Sequence, residues 1–212
     1  GVTFKGHSDT EVLLHSLNLF GTKCLSQLEG MYSFIYLDAR KQKLIVARDP
    51  LGIKPLYTST FEGTTLFASE VRSILATNII PRKISPQGVA GYLAYGAVQE
   101  PFTIIDKIQM FPPGCYQEFS ADNGLPISAP VPFWSFPKSP LPTGEREVIG
   151  QIRATLDSAV CDHMVSDVPV GVFLSSGLDS TIIAGLAKRH SKQLRTFTVG
   201  FTDDIDLSEL VL

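Results

Sequence analysis

Cysteine is scarce, with three residues in 212, at Cys24, Cys115 and Cys161. They are odd in number, far apart and without CxxC or other metal-ligand spacing, which argues against a disulfide framework or a zinc module. Free buried thiols in a reducing compartment are expected. No stretch approaches the roughly 20 apolar residues that span a bilayer, and the start lacks the charged-then-apolar pattern of a secretion signal. A cytoplasmic protein is the plain inference. Charge of one sign is missing too. Eighteen Lys and Arg against 21 Asp and Glu leave a net charge of −3, with no basic bias for a nucleic-acid or membrane surface. No repeat or low-complexity tract is visible. A starting methionine is also absent, and the chain stops at Leu212 soon after an acidic helix-start signal in Thr202–Glu209. Both ends read as cuts through a longer protein.

What remains is an ordinary globular composition, 44% hydrophobic and 18% charged, enough for one large domain or two modest ones. Ser8 or Asp9 caps a helix carrying Val12, Leu13, Leu14, Leu17 and Leu19. A short helix from Cys24 to Leu28 ends at Gly30. Strand-length apolar runs follow at residues 32–37, 43–47, 54–58 and 64–68, separated by turn residues such as Asp49-Pro50-Leu51-Gly52 and Glu62-Gly63. Such close spacing predicts an antiparallel meander. Helices are expected over 70–76 and 85–95, the second opening on Ser85-Pro86, a cap followed by proline at the first helical position.

From Asp122 to Pro142 the character changes. Pro126, Pro130, Pro132, Pro137, Pro140 and Pro142 crowd this stretch, which cannot sustain a helix or a ladder of any length. It predicts a linker over 122–143 between domains at 1–121 and 144–212. Beyond it, Val148, Ile149, Ile152, Leu156, Val160 and Met164 recur at threes and fours, predicting an amphipathic helix over about 145–165. Cys161 on that helix reads as a packing residue, and His163 and His190 as solvated or capping. A strand over 170–174, a turn of small residues, a helix over 181–187 and a strand over 196–201 make the βαβ unit of a parallel sheet.

The turn carries the chemistry: Leu174-Ser175-Ser176-Gly177-Leu178-Asp179-Ser180. The first amides of a helix lack internal partners and sit at its positive end, which suits an anion. Ser175, Ser176 and Ser180 add hydroxyl donors, and Gly177 admits a close approach. The lysine of a GxxxxGK[ST] loop is missing and Asp179 stands there instead. A carboxylate beside a phosphate is tolerable when a divalent cation lies between them, so magnesium-bound pyrophosphate suits the turn better than bare phosphate. On spacing alone, a turn that merely caps its helix stays open.

The segment is similar to the SGGxDS pyrophosphate loop of the ATP-pyrophosphatase family. Ser166–Leu174 before it and Thr196–Phe201 after it resemble the asparagine synthetases. Ser176 departs from the second glycine of that pattern. It requires a backbone free of positive φ, or strain of about 1 kcal/mol. Ser8–Leu13, Leu28–Phe34, Arg48–Tyr57 and Phe67–Glu70 resemble the later part of class II glutamine amidotransferase domains. Gln99–Ile104 and Phe111–Gly114 resemble the end of that domain in asparagine synthetases.

The resemblance implies a partial α+β glutaminase domain of the N-terminal-nucleophile type, with antiparallel sheets, followed by the start of an α/β parallel-sheet ATP-binding domain. It implies glutamine, aspartate and ATP as substrates and Mg2+ as cofactor. Ammonia released from glutamine would pass through an internal channel and displace AMP from an aspartyl adenylate. Carried over residue by residue, Asp9 binds glutamine, and Leu174, Ser175, Ser176, Gly177, Asp179, Ser180 and Val199 contact ATP, with Asp179 facing the metal. Arg48 and Asp49 fit a structural type I turn better than an active-site pair. The family's nucleophile is an N-terminal cysteine, activated by its own amino group. Gly1-Val2-Thr3 stands at the start and no Asn-Gly-Glu stretch precedes Asp9, so no catalytic residue is expected within these residues and no activity from them alone. A homodimer is compatible with this reading. Two rivals are an amidotransferase acting on another carboxylic acid, of the polysaccharide-modifying or β-lactam-forming kind, and a non-catalytic binding module. A phosphoribosyl amidotransferase is disfavoured by the loop at Ser175.

Overall fold

Helix α1 (Asp9–Phe20) begins where Ser8, in extended backbone, accepts the Thr10 amide on its hydroxyl at 3.1 Å. Ser8, and not Asp9, is the cap, and the acidic first turn of Asp9 and Glu11 suits the positive end of the helix. The computed structural model describes residues 2–136, 138 and 144–200, divided into two units, Gly1–Pro137 and Lys138–Leu212. The expected strand end at Phe201, the acidic stretch Thr202–Glu209, and Pro137, Pro140 and Pro142 lie outside the described residues.

In the first unit a short 3₁₀ helix (Gly21–Gln27) follows α1 and buries Cys24 and Leu25. Strands β1 (Ser33–Asp38) and β2 (Lys43–Arg48) pair antiparallel, Ser33 opposite Arg48. The chain then leaves that sheet. Strands β3 (Tyr57–Phe61), β4 (Thr64–Ala68) and β5 (Gln109–Met110) form a second sheet in the order β4-β3-β5. The first is completed by β6 (Cys115–Ser120) and β7 (Val131–Pro132), in the order β1-β2-β6-β7. The expected meander is thus split between two antiparallel sheets. A core of Val46, Leu56, Phe111 and Phe119 draws side chains from both, with Phe67 set edge-on to Phe119 at 5.0 Å. Helices α2 (Val71–Ala76) and α3 (Pro86–Tyr95) follow β4, and Ile74 joins Ile80 and Ile108 in a second core. Ser85 caps α3 by accepting the Gly88 amide at 3.1 Å.

The strand expected over 54–58 starts later, at Tyr57. Its early amides are taken by a side chain: Asp49 accepts from Leu51, Ile53 and Lys54 at 2.9–3.2 Å. A backbone bond from Gly52 to the Asp49 carbonyl, 3.0 Å, closes the turn around Pro50. The proline-rich stretch, read as lacking a ladder, runs back along β6. Ser120 and Glu118 bond Leu125 and Ile127 through the main chain, and Val131–Pro132 pairs with Cys115–Tyr116. Proline is tolerated there because β7 is an edge strand.

The second unit holds α4 (Glu145–His163), β8 (Gly171–Phe173), α5 (Leu178–His190) and β9 (Arg195–Phe197), with β8 and β9 parallel, Phe173 opposite Phe197. Val160 and Ala187 are its buried hydrophobic residues among those described. Cys161, expected to pack, is exposed, one residue round the helix from Val160. His163 bonds the Ala159 carbonyl at 2.7 Å, and His190 meets Asp157 at 3.0 Å.

Candidate functional site

Each unit presents one candidate site, and each is described by itself. In the first, the start of α1 faces the segment Leu28–Phe34 across a cleft of about 470 Å³. Asp9, Thr10 and Leu13 line one wall, Leu28 to Phe34 another, and Lys54 closes a side. Since Ser8 makes the helix cap, the Asp9 carboxylate is not consumed by it. One of its oxygens receives the Thr10 hydroxyl at 3.3 Å. The other has no partner among the described residues.

The approach to Asp9 is held from behind. Glu11 accepts the amides of Lys5 and Gly6, each at 2.8 Å, which keeps its carboxyl below the usual range. These bonds tie down the chain ahead of Ser8 and Asp9. Tyr32 lines the cleft, and its hydroxyl is buried without a partner among the described residues. Burial, then the negative charges of Asp49 and Cys24, push its phenol up to about 12.

Lys54 was not among the residues singled out by sequence, which placed it in a strand. In the structure its side chain is exposed and its main chain is fixed on both sides. Asp49 accepts its amide and Arg48 donates to its carbonyl, both at 2.9 Å. Arg48 and Asp49 are each 1% exposed. Arg48 also donates to the carbonyls of Gly52 and Phe111 at 2.6 and 2.7 Å. The pair builds the fold around the cleft, and neither side chain enters it. The signal for Lys54 lay in Asp-Pro-Leu-Gly, a turn that forces the following residues off the ladder.

In the second unit, β8 leads through Leu174–Gly177 into α5. Ser175 and Ser180 close the bend: their hydroxyls lie 2.9 Å apart, and that of Ser180 reaches the carbonyls of Ser175 and Gly177 at 3.0 Å. The amide of Gly177 donates to the Ser175 hydroxyl at 3.2 Å. These two hydroxyls, expected as ligand donors, are spent on the turn itself. Left over among the described residues are the amides of Ser176, Leu178, Asp179 and Ser180, the Ser176 hydroxyl and the Asp179 carboxylate.

Neither Ser176 nor Gly177 has a positive φ, so the serine at 176 carries no backbone strain. At Gly177 a Cβ would stand 3.2 Å from the Ser175 hydroxyl, so glycine keeps the bend tight by its size and not by a left-handed backbone. Leu174 is half-buried and bonds β9 and the residue after it, donating to the Phe197 carbonyl and accepting from the Thr198 hydroxyl, both at 2.8 Å. Val199 follows directly and is 70% exposed.

No group of three His, Cys, Asp or Glu side chains that would hold a metal exists among the described residues. A donor set of one carboxylate, one free hydroxyl and several amides fits magnesium carried in on phosphate oxygens, and does not fit a bare ion. No described helix is long and apolar enough to cross a membrane.

Comparison with known proteins agrees in both halves. The glutamine amidotransferase domain model matches residues 1–129, and the asparagine synthase model residues 151–212. Asparagine synthetase [glutamine-hydrolyzing] 1 of Bacillus subtilis is 36% identical over 202 residues, covering 95% of this chain and 31% of that protein. The putative asparagine synthetase of Mycobacterium tuberculosis H37Rv is 36% identical over 205 residues, 95% and 31% of the two chains. A putative asparagine synthetase 2 of Methanocaldococcus jannaschii is 32% identical over 203 residues, 94% and 39%. The chain thus spans about a third of the length of the curated relatives it matches. By the match over its first 129 residues the chain belongs to the glutamine amidotransferase domain family, and a match to the asparagine synthase model follows in the same polypeptide.

Proposed function

We propose that the complete protein is a glutamine-dependent asparagine synthetase, in which the first unit binds glutamine for hydrolysis and the second binds ATP to activate aspartate. The observation that carries this reading is the succession in one chain of a glutamine amidotransferase match and an asparagine synthase match, each containing a site of suitable chemistry.

In the first unit, Asp9 would accept the α-ammonium of glutamine with the oxygen that its neighbours leave free, a charge-assisted bond. In the second, the amides of Ser176, Leu178, Asp179 and Ser180 would hold the pyrophosphate end of ATP, helped by the Ser176 hydroxyl. Ser175 and Ser180 hold the bend in shape for that task, and Leu174 and Val199 border the nucleotide at the strand ends. A side-chain carboxylate resists amidation until one oxygen becomes a good leaving group, which transfer of AMP supplies. Magnesium would supply charge neutralisation for the departing pyrophosphate, and Asp179 is the carboxylate placed to face it.

The test uses the complete protein. Asp179→Ala is expected to abolish aspartate-dependent release of pyrophosphate while glutamine hydrolysis continues. Retention of both activities would overturn the assignment of the loop. The same assay run across a panel of carboxylic acids decides whether aspartate is the acid amidated.

A further inference from the structure

Asparagine occurs three times in the chain, as Asn18-Leu19, Asn78-Ile79 and Asn123-Gly124. The residue that follows decides how readily an asparagine side chain reacts with its own main chain. The attacking atom is the amide nitrogen of that next residue, and the bulky side chains of Leu19 and Ile79 crowd it. Gly124 has none, and it holds a φ of +69°, which glycine adopts at no steric cost. Asn123 itself is exposed, in the turn that follows β6.

That turn is densely bonded. The Ser120 amide donates to the Leu125 carbonyl, the Ala121 amide to the Gln42 carbonyl between β1 and β2, and the Gly124 amide to the Ser120 carbonyl, each at 2.9 Å. The Asp122 amide donates to the Ser120 hydroxyl at 3.2 Å, and the Leu125 amide to the side-chain oxygen of Asn123 at 2.9 Å. Both reacting groups are therefore engaged. The nucleophilic nitrogen carries a proton held by a carbonyl, and the amide it would attack is tied to Leu125. Reaction needs that nitrogen deprotonated and free to swing toward Cγ, so it proceeds from an opened turn.

We propose that Asn123 is a site of spontaneous covalent modification, converted to aspartate and isoaspartate at a rate set by the opening of this turn. Hydroxide takes the Gly124 amide proton, and the nitrogen attacks Cγ of Asn123. The bond from Cγ to Nδ2 breaks, and Nδ2 takes a proton from water and leaves as ammonia. Water then opens the cyclic imide. Cleavage of the bond between the Gly124 nitrogen and Cγ gives aspartate; cleavage of the bond to the main-chain carbonyl carbon gives isoaspartate. The sum is amide plus water to carboxylic acid plus ammonia, with no oxidant or reductant. Isoaspartate lengthens the main chain by one carbon between β6 and the residues that run back along it. It thereby strains the bonds from Ser120 to Leu125 and from Ile127 to the Glu118 carbonyl, 2.9 and 2.8 Å.

The complete protein is kept folded at mildly alkaline pH, beside a sample unfolded in guanidinium chloride at the same pH and temperature. Peptide mass mapping over time follows each asparagine. The folded protein is expected to gain acid at position 123 before 18 or 78, and more slowly than the unfolded one by about tenfold or more, the scale of at least one hydrogen bond. Ser120→Ala removes the hydroxyl that receives the Asp122 amide, and is expected to speed the folded reaction severalfold without changing the unfolded rate. Asn123→Gln, whose longer side chain closes a larger ring less readily, is expected to keep its amide.

Equal rates in the folded and unfolded samples, or a folded Ser120→Ala protein no faster than the unaltered one, would overturn the control by the turn. A folded protein that never reacts while the unfolded one does, acid appearing first at Asn18 or Asn78, or the same mass gain in Asn123→Gln would overturn the site.

Discussion

The guanidinium of Arg48 meets both carboxylate oxygens of Glu100, at 3.2 and 3.3 Å, from a position 1% exposed, while the Glu100 side chain is 45% exposed. The two ends of this bond are unequal. Arg48 also serves the carbonyls of Gly52, Lys54 and Phe111, whereas Glu100 has water as an alternative. Arg48→Leu is expected to cost about 3 kcal/mol or more, because three acceptors lose their donor. Glu100→Gln is expected to cost about 1 kcal/mol or less. Urea denaturation of the two variants measures both, and equal losses would refute this division.

Gly52 and Gly63 separate two costs. Both have positive φ, +65° and +78°, but a Cβ at Gly52 would stand 2.8 Å from Cζ of Arg48, while nothing lies within 4 Å at Gly63. Gly63→Ala is expected to lose about 1 kcal/mol from backbone strain alone. Gly52→Ala is expected to lose clearly more, because the buried guanidinium must move. Thermal unfolding midpoints of the two variants give the comparison.

Tyr32 carries a buried hydroxyl with no partner among the described residues. Tyr32→Phe is expected to stabilise the chain by about 1 kcal/mol, the cost of an unsatisfied hydroxyl. The pH dependence follows from the phenol, raised in the folded state from 10.0 to about 12 by burial and then by Asp49 and Cys24. Folding favours the protonated form, so this contribution is whole below pH 10.0 and is lost as pH rises through about 12. Tyrosinate absorbance followed during alkaline unfolding checks it, and the Tyr32→Phe variant is expected to lose that part of the transition.

The bend before α5 distinguishes its serines. The Ser180 hydroxyl accepts the Ser175 amide at 3.2 Å and reaches two carbonyls, whereas that of Ser176 has no partner among the described residues. Ser180→Ala is expected to speed hydrogen exchange at the Ser175 amide by about tenfold, the scale of one hydrogen bond. Ser176→Ala is expected to leave it unchanged. Exchange measured by NMR settles whether the turn is held as described.

Much of this was legible where the signal is local. Ser8 before an apolar-periodic run gave α1, Ser85-Pro86 gave α3, and the threes and fours after Glu145 gave α4. The bend at Ser175–Ser180 is contiguous in sequence, so its residue types announced it. Strands β6 and β7 were not legible. Cys115–Ser120 has one fully buried residue, Phe119, and its pairing with Leu44 is a long-range event. The start of β3 was misread because Asp49 captures amides that a ladder would otherwise use. The cleft joins α1, the segment after Leu28 and the loop after Asp49, and only folding brings Lys54 beside the wall that holds Asp9.

Ser176 occupies a backbone that any residue can adopt. A side chain at such a place trims the conformations open to the disordered chain, worth about 0.4–1 kcal/mol relative to glycine. The turn before α5 is therefore stiffer on its own than one with two adjacent glycines, so that any ligand it takes would surrender less affinity to organising it.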